Sequence, residues 1–567
     1  MKKLKRKRAK KKITIWALDT EDDSKGKVHL LNFYNGENHF TFTSPKDAQK
    51  FMASLEGKNI IWATNLQYDL INTFVGSLYH LEIGYVGSRV ISAKITDTDT
   101  IFYDTLNHWK ISVEEMGKRI GLEKLDPNGN YNNIAYCRRD TEITWYFVDT
   151  MKKHYESIGC ELKATIGSTA LRFFQTKYYK MQREQIFKKN ELKFMLKGYF
   201  GGRTEIFFNK PVEGNIQYYD FNSLYPSVMK NPFPIIKKGM FQRTKILNLK
   251  NEGIACVRVQ SPDDLSVPYL PVRSATGGLI FPLGSFKGYW TYFELREAQK
   301  IGYKILRVYS CLEFFAGTSF PFNDFVDDLY SKRNVAKANK DELLSEAYKL
   351  LMNNLYGKYG QGNEYTKLIP HKKGMKLKKD DEILGDMILR KEKGAYPAHT
   401  NVIWAAYVTA YGRHKLWEGM SSVEKNKGLL IYCDTDSIIF ESNRKIFTDS
   451  NELGALKSEG VFEYAHFKLP KLYKLVEKAG KAKYRSKGVP RKHAEEFFEK
   501  GRALFKKPYK LRETLRRNLN PKRKIKLIAN FWDDTEKVTH KTYDKRIVNA
   551  DGTTRPHRIG RVQKEHE

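Results

Sequence analysis

Cysteine is scarce in this chain: five in 567 residues, at positions 137, 160, 256, 311 and 433, with no C-x-x-C pair and no Cys/His cluster. That excludes a disulfide framework and a structural zinc site, and it fits a reducing compartment. No apolar run approaches the roughly 18 residues a membrane-spanning helix needs. No apolar h-region follows the basic start, which excludes a secretory signal. Acidic residues are also in deficit, with Asp+Glu 65 against Lys+Arg 100 and a formal charge of +35. The chain is otherwise that of a globular protein, 41% hydrophobic, with 34 Tyr, 33 Phe and 8 Trp. Its length suggests roughly three to five domains, and so large a positive excess fits a polyanionic partner. Residues 1–12 carry nine Lys/Arg and no acid, which suits either an arm that touches phosphates or a solubilising tail.

Within this basic background a few acids stand out by position. In Ile431-Tyr432-Cys433-Asp434-Thr435-Asp436-Ser437-Ile438 two carboxylates lie one residue apart between apolar flanks. The flanks read as strands, joined into a tight hairpin by a two-residue Asp-Thr turn. Strand alternation then points Asp434 and Asp436 the same way. Two such anions repel each other unless a cation lies between them. A polar hairpin tip would look the same in isolation, and a matching acid elsewhere decides for the cation. Asp220 supplies it, ending the apolar strand of Gln217-Tyr-Tyr-Asp220-Phe-Asn-Ser-Leu-Tyr225-Pro226, where Pro226 forces a bend.

The N-terminal region repeats the design. Ile13–Leu18 reads as a buried strand running into Asp19-Thr20-Glu21, and Asn59–Ala63 is a second apolar run followed by Asn65 and Asp69. Tyr136 and Asp140 share one face of a helical stretch. Four acids that end or interrupt apolar elements suggest a two-metal phosphodiesterase site. There, paired divalent ions ~4 Å apart activate a water that Tyr136 could orient. In the centre, Lys349-Leu-Leu-Met-Asn353-Asn-Leu-Tyr356-Gly357 reads as an amphipathic helix, with Lys349, Asn353, Tyr356 and Gly357 on one face. A glycine on that polar face costs ~1 kcal/mol of propensity, so something is expected to come close. Gly201 and Gly202 in Tyr199-Phe-Gly-Gly-Arg203 let backbone approach a ligand, and Tyr199 and Arg203 can stack and pair with phosphate.

These motifs resemble those of known families. D-x-E at Asp19/Glu21, N-x-x-x-D at Asn65/Asp69 and Y-x-x-x-D at Tyr136/Asp140 are similar to the three motifs of DnaQ-like (RNase H-like) 3′–5′ proofreading exonucleases. Thr105-Leu106 looks like the element that holds a frayed single-stranded 3′ end. Lys124-Leu-Asp126 resembles the lysine-and-aspartate element of the protein-primed subgroup, where Lys124 would assist catalysis and Asp126 would join the metal set. Tyr199–Arg203 resembles the Y-x-G-G/A motif of family B DNA polymerases, which helps primer DNA partition between the two sites. Asp220–Pro226 matches motif A, Lys349–Gly357 resembles motif B with Asn354 in place of the usual Ser, and Asp434–Asp436 matches motif C. Lys471 and Tyr473 resemble the K-x-Y motif that grips the primer terminus.

The resemblance implies a template-directed DNA polymerase with 3′–5′ exonuclease, of the compact protein-primed type found in phages and linear plasmids. It implies Mg²⁺ or Mn²⁺, two per active site, held by Asp220 and Asp436 with the Phe221 carbonyl, and by Asp434 in second rank. Tyr225 would lie under the sugar of the incoming nucleotide. Lys349 would neutralise the triphosphate, aided by Lys332 with Arg333 close behind. The implied partners are primer-template and single-stranded DNA, dNTPs and a terminal priming protein; the implied state is a monomer in the host cytoplasm. An ordinary DNA-primed viral polymerase is the alternative.

The expected fold is α/β and α+β multidomain, an RNase H-like exonuclease domain followed by a right-hand polymerase of palm, fingers and thumb with two insertions. The expected boundaries are a basic arm (1–12), exonuclease (13–160), connector (161–195), palm (196–231 and 397–500) and fingers (322–360). Insertions at 232–321 and 361–396 resemble the two terminal-protein regions. A thumb and tail occupy 501–567, where residues 501–526 carry eleven Lys/Arg against one Glu, a stripe suited to DNA. The last ~20 residues are expected to be weakly structured.

Overall fold

Strand Ile13–Asp22 buries Trp16, Ala17 and Leu18 in succession, as a strand covered on both faces must. It runs parallel to Lys58–Ala63, which in turn runs parallel to Thr100–Asp104. The three parallel strands therefore end on the side of the sheet where Asp19 and Glu21 sit. The computed structural model describes residues 13–23, 27–74, 77–126, 133–179, 184–508, 510–518, 532–539 and 543–560. These fall into two compact units, one within Met1–Lys177, Asn363–Ala395 and Lys506–Asp534, the other within Tyr178–Gly362, Tyr396–Phe505 and Thr535–Glu567.

The first unit is built on a mixed sheet of ten strands among the described residues. Helix Ile134–Ser157 lies on it, capped at its start by Asn133, whose side chain accepts from the Ala135 N–H. Its buried residues Tyr136, Asp140, Ile143, Phe147 and Met151 recur at helical spacing, so one stripe carries both the packing and the acid. The interval 361–396, placed by sequence between two polymerase motifs, joins this sheet. Strand Glu364–Pro370 pairs antiparallel with Leu81–Val86, Leu368 opposite Ile83, and brings Met387–Lys393 and Glu382–Leu384 with it. Leu368, Leu384, Met387 and Leu389 enter the same core as Trp16, Leu31 and Phe102.

Helix Leu511–Asn518, inside the expected thumb stripe, adds Leu511 and Leu515 to that core. Its Arg516 pairs with Glu382 at 2.5 and 2.6 Å. This helix is therefore amphipathic, with an anchored apolar edge. Residues 509 and 519–526 of the stripe and the basic arm at 1–12 lie outside the described residues.

The second unit centres on an antiparallel sheet ordered Ala482–Arg485, Leu472–Glu477, Leu456–Leu469, Val212–Phe221, Ser437–Glu441, Leu429–Asp434 and Thr204–Ile206. Helix Val402–Lys425 is buried along most of its length. Helices Asn323–Ala338 and Glu342–Tyr359 form an adjacent pair. The interval 232–321 folds as a separate sheet around Val257, Val259, Trp290 and Leu295, with helix Tyr292–Ile301 against it. Its outermost strand, Arg558–Ile559, comes from the far end of the chain and pairs parallel with Leu283–Gly284. The C-terminal segment up to residue 560 is thus ordered, against the expectation of weak structure. Strands of two residues, Ile547–Val548 and Thr554–Arg555, leave no periodicity to read in sequence. Among the described residues no helix is long and apolar enough to cross a membrane.

Candidate active sites

In the first unit, carboxylate oxygens of Asp19, Glu21 and Asp140 lie within 4.8 Å of one another. Adjacent parallel strands and the inner stripe of the Ile134–Ser157 helix converge there. Burial and mutual repulsion raise the pKa of Asp19 well above the carboxylate range, with Asp140, Glu21 and Asp69 adding to the effect. Burial, then Asp140, pushes Glu21 up to about 7. The buried oxygens Asp19 Oδ2 and Asp140 Oδ1 have no hydrogen-bond partner among the described residues. A buried, mutually repelling set of hard oxygen donors with open lone pairs fits a divalent cation.

Asp69 is buried beside this cluster and is held by a chain that sequence gave no sign of. Asn72 donates to Thr20 Oγ1 and Thr20 donates to Asp69 Oδ1, each at 3.0 Å. Lys124 donates to Asp140 Oδ2 at 2.5 Å with its ammonium 4.8 Å from the Tyr136 ring centre. Burial opposes its charge, but Asp140 and Tyr136 prevail and its pKa rises. Asp126 lies on the exposed side and is not among the three clustered acids.

Asp104 is the organising residue that motif reading passed over. Its buried carboxylate accepts the N–H groups of Asn65 and Leu66 (3.2 Å each) and of Leu106 (2.9 Å). It thereby fixes Asn65, whose φ is 65°, and the Thr105–Leu106 turn together. Thr105 is fully buried with its hydroxyl on Thr64 Oγ1, so its side chain is no surface for a DNA strand; compact burial excludes it from that expectation. Leu106 does line an open cleft of about 500 Å³, with Arg89, Lys110 and Ser112 around it.

In the second unit, strand Val212–Phe221 pairs with Ser437–Glu441 so that Asp220 stands opposite Ser437. The Phe221 N–H donates to the Asp436 carbonyl at 2.7 Å. Burial, then Asp436, lifts Asp220 to about 7, while Lys349 acts in the opposite sense. Burial, then Asp434, raises Asp436, and Lys471 and Lys349 lower it. The two acids and the lysine therefore share one electrostatic site.

The turn differs from expectation by one residue. Asp434 pairs with Ser437, so the turn is Thr435-Asp436, with Thr435 at φ 63°. The two acids consequently do not share a strand face. Asp434 accepts from Thr204 Oγ1 at 3.0 Å and pairs with Lys471 Nζ at 2.5 Å, while Asp436 faces Asp220. Four of the non-glycine residues held at positive φ, Asn65, Ser223, Thr435 and Lys471, stand in these motifs. Such backbone strain persists only where surroundings over-determine it.

Gly202 has a different use from the one expected. A Cβ there would lie 2.7 Å from Thr435 Cγ2, so the glycine admits the acidic turn, not a ligand. Arg203 is also corrected: it is 1% exposed, donates to Glu205 at 2.7 Å and to the Pro268 carbonyl at 2.7 Å, and lies 3.9 Å from the Phe281 ring centre. Its charge is spent inside the fold, where it cannot meet phosphate. Gly201 is exposed and open, and its carbonyl accepts from Arg413, which is itself buried against Glu294 at 2.6 Å. Tyr199 packs against the position of Gly360.

Along the helix Glu342–Tyr359, Leu351, Met352 and Leu355 are buried, while Lys349 and Gly357 are exposed with open space at the glycine. Tyr356 meets Tyr225 at 4.6 Å between ring centres, and Asn353 lies on the same open side at partial exposure. Lys332 is paired with Asp328 one turn earlier, which compensates its charge. Arg333 is buried and donates to Ser223 Oγ at 3.1 Å. The cation that sequence reading missed is Lys337, whose pKa burial lowers, with Arg333, Lys457 and Lys349 adding to it. Tyr473 packs with Phe467 and Tyr432 beneath Lys471, whose N–H donates to the Tyr432 hydroxyl.

Comparison with known proteins extends these findings. A family model described as DNA polymerase type B, organellar and viral, matches residues 95–402. A probable DNA polymerase of Neurospora intermedia is 31% identical over 394 residues, 61% of this chain and 38% of that protein. The chain spans about a third of the length of several of the relatives it matches, this one among them. The DNA-directed DNA polymerase of Enterobacteria phage PRD1 is 26% identical over 510 residues, 86% of this chain and 87% of that protein. The phi29 DNA polymerase solved with primer-template DNA and incoming nucleotide superposes with TM-score 0.68 at 18% identity, covering 88% of this chain and 97% of that one. Its complex with single-stranded DNA gives 0.63 at 20% identity, over 88% and 96%. The mixed α/β multidomain fold is the one those polymerases share.

Proposed function

The chain belongs to the organellar and viral type B DNA polymerases, and from that premise we propose that it is a template-directed DNA polymerase with a 3′–5′ proofreading exonuclease, primed by a protein. The observation that carries the reading is the meeting of Asp220, Asp436 and Lys349, three residues far apart in sequence that share one field.

Asp220 and Asp436, with the Phe221 carbonyl and Asp434 as further donors, would hold two divalent ions, Mg²⁺ or Mn²⁺. When bound, such ions stabilise charge on the attacking and leaving oxygens of an in-line phosphoryl transfer. The remaining work falls to the chain itself. Lys349, with Lys337 and Lys457 nearby, attracts the triphosphate and balances the charge of the departing pyrophosphate. Arg333 works indirectly, through Ser223. Tyr225, braced by Tyr356 and Gly412, offers a rigid ring under the incoming sugar. Asn353, Tyr356 and Gly357 line the base pair, and Lys471 and Tyr473 meet the primer terminus. Tyr199 and Gly201 border the same region.

In the first unit Asp19, Glu21, Asp69 and Asp140 would hold the ions of the exonuclease. Tyr136 orients the attacking water, and Lys124 fixes the Asp140 carboxylate and adds positive charge. Asn65 and Leu106 face the 3′ end of a single strand. Asp126 keeps a place in the outer part of this set.

The partners of the reading are primer-template DNA, single-stranded DNA, dNTPs and a terminal protein, with the enzyme acting as a monomer in the host cytoplasm. Likeness to the phage PRD1 and phi29 polymerases supports protein priming. Primer extension with Mg²⁺ and dNTPs, using Asp436→Ala as control, tests polymerisation; equal product from both proteins would refute it. A covalent protein–dNMP adduct with a candidate priming protein tests the priming. No adduct would leave an ordinary DNA-primed polymerase.

A further inference from the structure

We propose that the segment Tyr543–Ile559 is a clasp that positions Asp434 for polymerisation by holding strand Thr204–Ile206 in place. The proposal rests on the polymerase reading above and adds to it residues that no motif contains.

Strand Thr204–Ile206 is three residues long and is the last of its sheet. A strand so short is weakly held by its ladder, and its outer backbone groups have no neighbouring strand to satisfy them. Its inner edge does functional work. The Thr435 N–H donates to the Arg203 carbonyl and the Phe207 N–H to the Ile431 carbonyl, at 2.7 and 2.8 Å. From the same strand the Thr204 hydroxyl donates to Asp434 Oδ1 at 3.0 Å.

The outer edge is closed by the chain terminus instead of a strand. The Tyr543 hydroxyl accepts from the Ile206 N–H at 2.8 Å and donates to the Ile206 carbonyl at 3.1 Å. Lys545 Nζ donates to the Thr204 carbonyl at 2.7 Å. Thr554 Oγ1 donates to the Ile206 carbonyl at 3.0 Å, and the Thr554 N–H to the Phe207 carbonyl at 2.9 Å. The Asn209 N–H donates to the Gly552 carbonyl at 2.7 Å.

The clasp is itself anchored. Arg546 is 2% exposed, donates to Thr554 Oγ1 at 2.8 Å and to the Ser266 carbonyl at 2.9 Å, and lies 4.6 Å from the Phe207 ring centre. Beyond it, Arg558–Ile559 pairs with Leu283–Gly284. Both carbonyls and the Ile206 N–H on the outer side of Thr204–Ile206, which a neighbouring strand would have met, are thus met by the terminus. Loosening it frees Thr204, and with it the hydroxyl that counters the pull of Lys471 on the other oxygen of Asp434. Tyr543 and Lys545 are therefore positioning residues.

The test uses the full chain with Tyr543→Phe, Lys545→Met and the conservative Lys545→Arg. In metal-free protein, amide hydrogen exchange over residues 203–208 should quicken about tenfold in Tyr543→Phe, since the buried Ile206 N–H loses its partner and the Ile206 carbonyl keeps only Thr554. Primer-extension kcat should fall about tenfold in Tyr543→Phe and Lys545→Met, with KM for dNTP within about twofold, as expected when geometry and not binding is lost. Lys545→Arg should retain kcat. Single-stranded exonuclease activity, from the other unit, should persist and report folding. Faster exchange with unchanged kcat would reduce the clasp to scaffolding and overturn the proposal, as would unchanged exchange in both variants. A wild-type protein that extends no primer would instead overturn the polymerase reading, and the clasp's role with it.

Discussion

Replacing Gly202 by alanine should disable polymerisation through the acidic turn. A Cβ at 202 would stand 2.7 Å from Thr435 Cγ2, 2.8 Å from its Oγ1 and 3.1 Å from its Cβ, where ordinary contact begins at 3.4 Å. The turn must therefore yield by about 0.7 Å, and Thr435 is poorly able to do so. It is β-branched, which restricts its side chain, and it already sits at φ 63°. Its N–H is tied to the Arg203 carbonyl, next to the substituted residue. The shift passes directly to Asp434 and Asp436 on either side. Overpacking of this kind costs about 1–3 kcal/mol of stability, and misplacement of reacting groups by ~1 Å costs on the order of a hundredfold in rate. Steady-state primer extension should thus show kcat down about a hundredfold in Gly202→Ala. Thr435→Gly removes the obstructing side chain and suits the positive φ, so the double variant should regain at least about tenfold, a coupling of ~1.4 kcal/mol. Wild-type kcat in Gly202→Ala, or a double variant no better than the single one, would refute the steric argument.

Further outcomes follow from the same geometry. Asp220 and Glu21 titrate near 7 when folded, above their ordinary values of 3.8 and 4.5. Between those limits the folded, metal-free protein binds more protons than the unfolded chain. Its stability should be greatest at low pH within that window and fall as pH rises through 7. Melting in EDTA should show that decline, and Mg²⁺ should raise Tm more at pH 8 than at pH 5; a flat profile with equal Mg²⁺ effects contradicts it. Lys124→Met should lower single-stranded exonuclease kcat by about ten- to a hundredfold while primer extension persists, because the general effect of a positioned charge is lost only there. A parallel fall in both activities would argue for damage to the fold. Arg203→Met removes the nearer cation from buried Glu205 and leaves only Arg546, 3.9 Å away; breaking a buried pair costs up to about 3–5 kcal/mol, and Arg546 puts this loss at about 3. The loss should appear in thermal melting, and the salt dependence of DNA binding should keep its slope; a slope reduced by about one would return Arg203 to the DNA surface.

Much of the site could be read from residue order because each acid ends an apolar strand or interrupts a helical stripe. Asp19, Asp220 and Asp436 announced themselves in that way, and the faces of the Lys349–Gly357 helix followed from 3.6-residue spacing. What escaped was decided by contacts distant in sequence. The one-residue displacement of the 434–437 turn depends on pairing with strands Thr204–Ile206 and Val212–Phe221, which local turn preference does not see. Arg203 resembled a phosphate ligand until Glu205, Pro268 and Phe281 enclosed it. The interval 361–396 carries strand-like patterning, yet nothing local states that it extends a sheet begun at residue 13. Asp104 carried no signal of its own, because its role is to accept main-chain N–H groups from two loops. The C-terminal segment meets its neighbours through a few side chains and isolated main-chain bonds, an arrangement with no periodic signature.

The most direct test of the central claim compares Asp220→Ala and Asp436→Ala with wild type in one preparation, measuring primer extension and single-stranded 3′–5′ digestion side by side. Extension should vanish in both variants while digestion continues at the wild-type rate. Continued extension by either variant would mean that these two carboxylates are not the polymerising centre.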